Sequence, residues 1–483
     1  MELAGYRAEA EEFLTALDRE YYLHFSGRQD EFAIEEIYER HAGLFSREAV
    51  EQLRGGASRE LARFAAEGHV EQAVKAQAAE LARLEATLEV EVAGELLPFR
   101  QAAVAQANEP DPARRRAIDA ARNEVVAEHL NPLLLEMFES SRALVRELGW
   151  VSVLEMTTEL SGVDLAGLAR QTDAFIGASE EGFERLVEPR VREEIGLGFG
   201  ELERADLPAF FRAPSLDAAF PGEELLTSLD RTLAGLGLDS GSPGKVIVDA
   251  EPRPNKSPRA FCSPVRVPDE VYLVIARIGG RDDYEALLHE AGHAQHYSHV
   301  DRSLPFEHRY LGDNAVTEGF AFLFQHLSED PGWLETMLGV DDASPIVRQA
   351  RASKLIYLRR YCAKLGYELE LQGERPVEGL DELYARRLSE ATRVDWPTET
   401  WLSDVDAFFY AAAYLRAWAL ETHLRKVLRE RFGARWFEER EAGELLRSLW
   451  SQGQRLPAEV LLGELTGADL EFSALAEELL PAP

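Results

Sequence analysis

His289-Glu290-Ala291-Gly292-His293 is the stretch from which the rest of the chain is best read. On an α-helix the two imidazoles stand at i and i+4, one above the other on a single face, where both can grip one metal ion. Glu290 sits beside that face, close enough to take a proton from a metal-bound water. The flanking residues favour a helix. Asp282 and Asp283 follow a Gly-Gly pair as N-cap candidates, and Tyr284-Glu285-Ala286-Leu287-Leu288 leads in without a breaker. His296, His299, His308 and His326 follow, so six of the eleven histidines fall between 289 and 326. An even spread would put about one there, and the clustering points to a metal or polar site.

HExxH on a helix is the signature of zinc peptidases, and a hydrolytic zinc centre needs three protein ligands and one open position. The metzincin pattern H-E-x-x-H-x-x-G-x-x-H fails, because position 296 is His and no Gly lies between 293 and 299. The better third ligand is Glu318, in Gly312-Asp313-Asn314-Ala315-Val316-Thr317-Glu318-Gly319-Phe320-Ala321-Phe322-Leu323-Phe324. Asp313 or Asn314 would cap this helix, and the apolar run after Glu318 would bury it. A carboxylate on such a helix is costly unless it is paired or metal-bound. The plainer alternative is a first-turn glutamate facing the helix dipole.

HEAGHAQH, residues 289–296, resembles the H-E-x-G-H-x-x-H helix of the thimet oligopeptidase and oligopeptidase F family, and the interval from His293 to the glutamate ligand is similar too. Angiotensin-converting enzyme and the Taq-type carboxypeptidases are more distantly similar. Arg259-Ala260-Phe261-Cys262 looks like the segment that precedes the catalytic helix in that family. The resemblance is specific over roughly 245–330, extends over the C-terminal helices and is architectural over the N-terminal half. It implies a mainly α, multi-lobed zincin-type metallopeptidase, with a small β-sheet beside the HExxH helix and a deep substrate channel. It also implies one zinc ion per chain on His289, His293 and Glu318, with Glu290 activating the water and passing its proton to the leaving amine. Short oligopeptides, cut internally, are the implied substrates. A metallocarboxypeptidase on the same frame is one alternative, and a catalytically inactive helical peptide-binding protein is another.

The family stabilises the oxyanion with a tyrosine from a later helix. Here Ser403-Asp404 opens a helical pattern running to Gly433, and Phe408-Phe409-Tyr410-Ala411-Ala412-Ala413-Tyr414-Leu415 looks like the tyrosine-bearing helix. Tyr410 is the first candidate donor and Tyr414, four residues on, the second. The family's histidine several residues before that tyrosine has no counterpart, since no His lies between 326 and 423.

Along the chain, residues 1–212 read as an almost wholly helical N-terminal lobe, and 213–483 as the catalytic region with C-terminal helices completing the channel. Asp239-Ser240-Gly241-Ser242-Pro243-Gly244 makes a loop. Val246-Ile247-Val248 and Val271-Tyr272-Leu273-Val274-Ile275 read as short strands, with prolines punctuating the stretch between them. The segment 271–278 is the one expected to receive the substrate backbone as an added strand.

With 483 residues the chain can bury a large core, and 46% hydrophobic with 29% charged residues is an ordinary globular composition. A net charge of −35 repels phosphate backbones, so nucleic acid and anionic membrane are poor partners, whereas basic or neutral peptides are not disfavoured. Only Cys262 and Cys362 are present, which points to a reducing compartment and no disulfide scaffold, with Cys262 a small buried residue rather than a ligand. Residues 1–12 have neither a basic n-region nor an apolar h-region, and the expectation is a cytoplasmic monomer or simple homo-oligomer. No Gly-rich phosphate loop, CxxC pair or GxSxG elbow offers a competing chemistry.

Overall fold

Short strands and many helices share the chain, in the proportion a mainly α protein shows. The structure, a computed structural model, describes residues 2–56, 58–239 and 245–480. The loop expected at 239–244 falls, from Ser240 on, outside the described residues. None of the described helices is long and apolar enough to cross a membrane.

The chain folds as two units, each assembled from three segments. One comprises Met1–Ala65, Ser215–Val347 and Ala413–Leu475, the other Ala66–Pro214, Arg348–Ala412 and Ala476–Pro483. The sequence reading places residues 1–65 with the N-terminal lobe; in the structure they belong with the HExxH motif. The reason is visible in the N-terminal helix, Leu3–Phe25. Its Tyr22 ring stacks on Tyr272 at 3.6 Å, and Ser263 Oγ donates to the Asp18 carbonyl at 2.8 Å. Its Tyr22 hydroxyl also donates to Asp249, whose carboxylate is clamped by Arg28, Arg253 and Lys256.

The second unit carries a departure from the all-helical expectation. Glu89–Val92 (β1) and Glu95–Pro98 (β2) pair antiparallel, Val92 facing Glu95. The turn residues Ala93 and Gly94 have φ of 54° and 84°, which matches a two-residue hairpin turn that follows the strand twist. Val90 and Val92 alternate inward and pack with Phe99, Ile118 and Leu130, so burial on a period of two overrides the helix tendency of the Glu-rich run.

In the first unit a three-stranded sheet is formed by Val246–Asp249 (β3), Phe261–Arg266 (β4) and Glu270–Val274 (β5), in the order β3-β5-β4. β5 is parallel to β3 and antiparallel to β4. Both of its edges are therefore occupied, so 271–274 cannot accept a substrate strand as expected; the edge strands are β3 and β4, the latter disguised by its proline.

Candidate metal centre

The HExxH helix spans Arg281–His299 and begins one residue before the expected caps. Gly280, at φ 89°, occupies the N-cap position, and Asp282 and Asp283 lie in the first turn. Asp283 instead accepts from the backbone N–H groups of Ile278 and Gly279, at 2.8 and 2.7 Å, and so fastens the entering loop. The Glu318 helix spans Asn314–Gln325, with Asp313 at its N-cap accepting from the Ala315 N–H.

These two helices touch backbone to backbone at Gly292. A β-carbon there would stand 2.7 Å from both the Ala321 Cα and the Phe320 carbonyl oxygen, so only glycine permits the approach. The approach delivers Glu318 to the histidines. His289 Nε2 and His293 Nε2 are 3.2 Å apart, and Glu318 Oε2 lies 3.4 and 3.6 Å from them. The circle through these three atoms has a radius of about 2.0 Å, which matches zinc–nitrogen and zinc–oxygen bond lengths. Among the described residues this is the trio whose ligand atoms gather closely enough to share one ion.

The imidazoles are oriented from behind. His289 Nδ1 lies 2.9 Å from Gln325 Oε1, and His293 Nδ1 lies 2.9 Å from Thr317 Oγ1. An amide oxygen only accepts, so His289 Nδ1 carries the proton and its Nε2 faces inward with its lone pair. Burial pushes the Glu318 carboxyl up, but the two imidazoles outweigh it and hold the group below the usual carboxylate range. Burial likewise pushes His293 down, while Glu318 and Glu290 draw it up to a net rise. The trio is thus a negatively charged oxygen facing two nitrogens in a largely dry recess, a donor set suited to a borderline-soft divalent cation.

Glu290 is held by the sheet. Its Oε2 accepts from the Cys262 N–H of β4 at 2.8 Å, which fixes the carboxylate beside the edge strand. Cys262 is unpaired with Cys362 and takes no part in the cluster; burial, with Glu290 and Asp18 nearby, pushes its thiol well up. The remaining histidines of the run do other work. His296 is fully buried against Phe320 and Tyr297, and burial with His293 nearby holds it down to about 3. His299 bonds the Gln295 carbonyl at 2.7 Å, and His326 lies 3.5 Å from Glu329. The histidine clustering therefore overstates the candidate site: two of the six join the trio that could hold an ion.

The tyrosine helix spans Tyr410–Phe432 rather than opening at Ser403. Asp404 is held by Arg360, Tyr384 and Lys364, and the Asp406 N–H donates to Glu368, so side-chain partners keep this segment out of a helix. Phe408 and Phe409 then turn through left-handed backbone, at φ 48° and 60°, before Tyr410 starts the helix. Tyr410 lies near the end of the Arg348–Ala412 segment of the second unit; Tyr414 lies in the first unit. The Tyr414 ring is 6.0 Å from Phe322, which stacks on Trp418 at 5.0 Å and stands 5.2 Å from His289.

Three contributors escape sequence reasoning. Thr317 and Gln325, eight residues apart, share one face of a largely apolar helix, and polar residues there are the available signal for partners of the histidines. Arg416, buried on the tyrosine helix, chelates the cap residue Asp313 at 2.9 and 2.6 Å and also pairs with Glu459. It ties the start of the Glu318 helix to the tyrosine helix, and nothing in its local sequence marks it.

No protein-family model and no curated protein matches this chain. Among solved structures, it is similar to the crystal structure of a Bacillus anthracis str. Ames protein provisionally assigned as oligoendopeptidase F, at 16% identity. The match covers 97% of this chain and 88% of that one, with a TM-score of 0.65. At that identity the likeness shows the fold: mainly α, oligoendopeptidase-like, with small sheets.

Proposed function

We propose that this chain is a zinc-dependent metallopeptidase that hydrolyses internal peptide bonds of short oligopeptides. The observation that carries the reading is the trio itself: His289, His293 and Glu318 present three atoms on a circle of zinc-bond radius, one residue from a carboxylate fixed by the sheet. His289, His293 and Glu318 would hold one zinc ion. Bound there, zinc supplies a Lewis acid that polarises the scissile carbonyl and acidifies water.

The residues do the rest. Glu290 takes a proton from the attacking water on its carboxylate and hands it to the leaving amine nitrogen. The Cys262 N–H holds that carboxylate at the β4 edge, where an extended peptide can pair. A tyrosine hydroxyl from the Tyr410–Phe432 helix donates to the developing oxyanion, from Tyr410 or from Tyr414 one turn on; the ring chain through Phe322 supports Tyr414 as within reach. Oligopeptides as substrates rest on the likeness of fold to a protein assigned as an oligoendopeptidase.

Zinc analysis of the purified protein with a quenched fluorescent peptide tests this reading. Glu290→Gln is expected to keep its zinc and lose most hydrolysis, by a factor on the order of 10² or more. Parent and variant cutting at equal rates would overturn it.

A further inference from the structure

Beside the Glu290 tether the first unit has an open cleft of about 400 Å³, within the range of small-ligand sites. Cys262, whose N–H holds Glu290, is part of its wall, so the cleft adjoins the proposed peptide path. Phe261 lies beside it on β4, and the N-terminal helix contributes Asp18, Tyr21 and Phe25. Tyr21 and Phe25 stack at 5.8 Å and are each 39% exposed, and Phe25 meets Phe261 edge-on at 6.4 Å. Large aromatic rings left open to solvent in one cluster mark a surface that something covers.

Asp18, half-buried, is the acidic residue of this lining. Its backbone oxygen is used by Ser263, but among the described residues no hydrogen bond or ion pair reaches its carboxylate. Burial pushes this carboxyl up to about 7. Other carboxylates of the same unit are treated differently: Asp249, Glu307 and Asp313 each have an arginine partner. The groups that face Asp18 are the Cys262 thiol and the hydroxyls of Tyr297 and Tyr310, none of them cationic. Arg259 is the one cation of the cleft lining, and it is exposed.

We propose that this cleft is a specificity pocket for a basic side chain of the peptide, with the Asp18 carboxylate as its counter-ion and the Tyr21, Phe25 and Phe261 rings packing its aliphatic stem. A half-buried carboxylate without a cation is under-solvated, and a lysine or arginine from the substrate gives it a counter-ion. Aromatic faces accept the stem and add cation–π attraction. The net charge of −35 raises the local concentration of basic peptides.

The inference rests on the peptidase reading, and the experiment separates the two. Zinc-loaded Glu290→Gln protein is titrated with fluorescent peptides identical except for lysine, norleucine or glutamate at each position in turn. At one position lysine is expected to bind about ten-fold more tightly than norleucine, and glutamate more weakly than both. Adding Asp18→Asn is expected to bring the lysine-to-norleucine ratio to about one. No position favouring lysine in the Asp18 protein, or a ratio that survives Asp18→Asn, would overturn the pocket. The first of these needs no change at Asp18, so the test stands even if that variant misfolds. Cleavage of the norleucine peptides by the parent protein reports on the peptidase reading alone.

Discussion

Gly292→Ala is the sharpest perturbation of the proposed centre, because it adds one methyl group and touches no ligand. The new β-carbon would meet the Ala321 Cα and the Phe320 carbonyl oxygen at 2.7 Å, whereas ordinary contact begins near 3.4 Å. Both obstacles are backbone, so neither can swing aside. Relief requires the two helices to part by about 0.7 Å, an overpacking strain of about 1–3 kcal/mol. Glu318 rides on the helix that must move, while His289 and His293 stay on the other. Metal–ligand distances are tolerant to only about ±0.2 Å, so a displacement several times larger stretches or breaks the Glu318 contact. Zinc affinity is then expected to drop at least ~10-fold, with a loss of about 1–3 kcal/mol in the metal-free protein's stability. Chelator competition reads the first and urea unfolding the second. A variant that keeps parental affinity and parental stability would refute the claim that this glycine sets the helix spacing.

Two further tests probe different links. Gln325→Leu removes the acceptor for His289 Nδ1, and zinc affinity should fall by about 10–100-fold with the helical circular dichroism unchanged; unchanged affinity would show that the ring is oriented by packing alone. In the second unit, burial pushes the Glu368 carboxyl up to about 8, with Lys364 drawing it partly back. The folded protein thus keeps a proton that the unfolded chain releases near 4.5, so this contribution to stability is present below that value and is lost as pH rises toward about 8. Glu368→Gln keeps an acceptor for the Asp406 N–H and cannot ionise, so its urea midpoint should vary less than the parent's between about pH 5 and 8. Parallel midpoints across that window would contradict the assignment.

What the sequence discloses here is periodicity, and what it withholds is the partner across a contact. His289, His293 and Glu318 were readable because a helix of known pitch fixes two nitrogens, and an apolar helix makes a lone carboxylate conspicuous. β3 and β5 were readable from their β-branched runs, but β4 was not, since Pro264 and Pro268 look like punctuation and an edge strand tolerates them. The hairpin at 89–98 lay hidden in a Glu-rich run whose alternation spans only four residues before the turn. The start of the tyrosine helix could not be found locally either. Nothing between 403 and 410 breaks a helix by composition; Arg360, Tyr384, Lys364 and Glu368 do so from elsewhere in the chain. The N-terminal helix makes the same point about function. Its pattern announces a buried stripe without saying against what, and only the fold shows that Tyr22 meets Tyr272 and that Asp18 lies beside Cys262. Residues whose chemistry depends on their own helix can be named in advance, whereas those whose chemistry depends on a neighbour distant in sequence become candidates only once the sheet is in place.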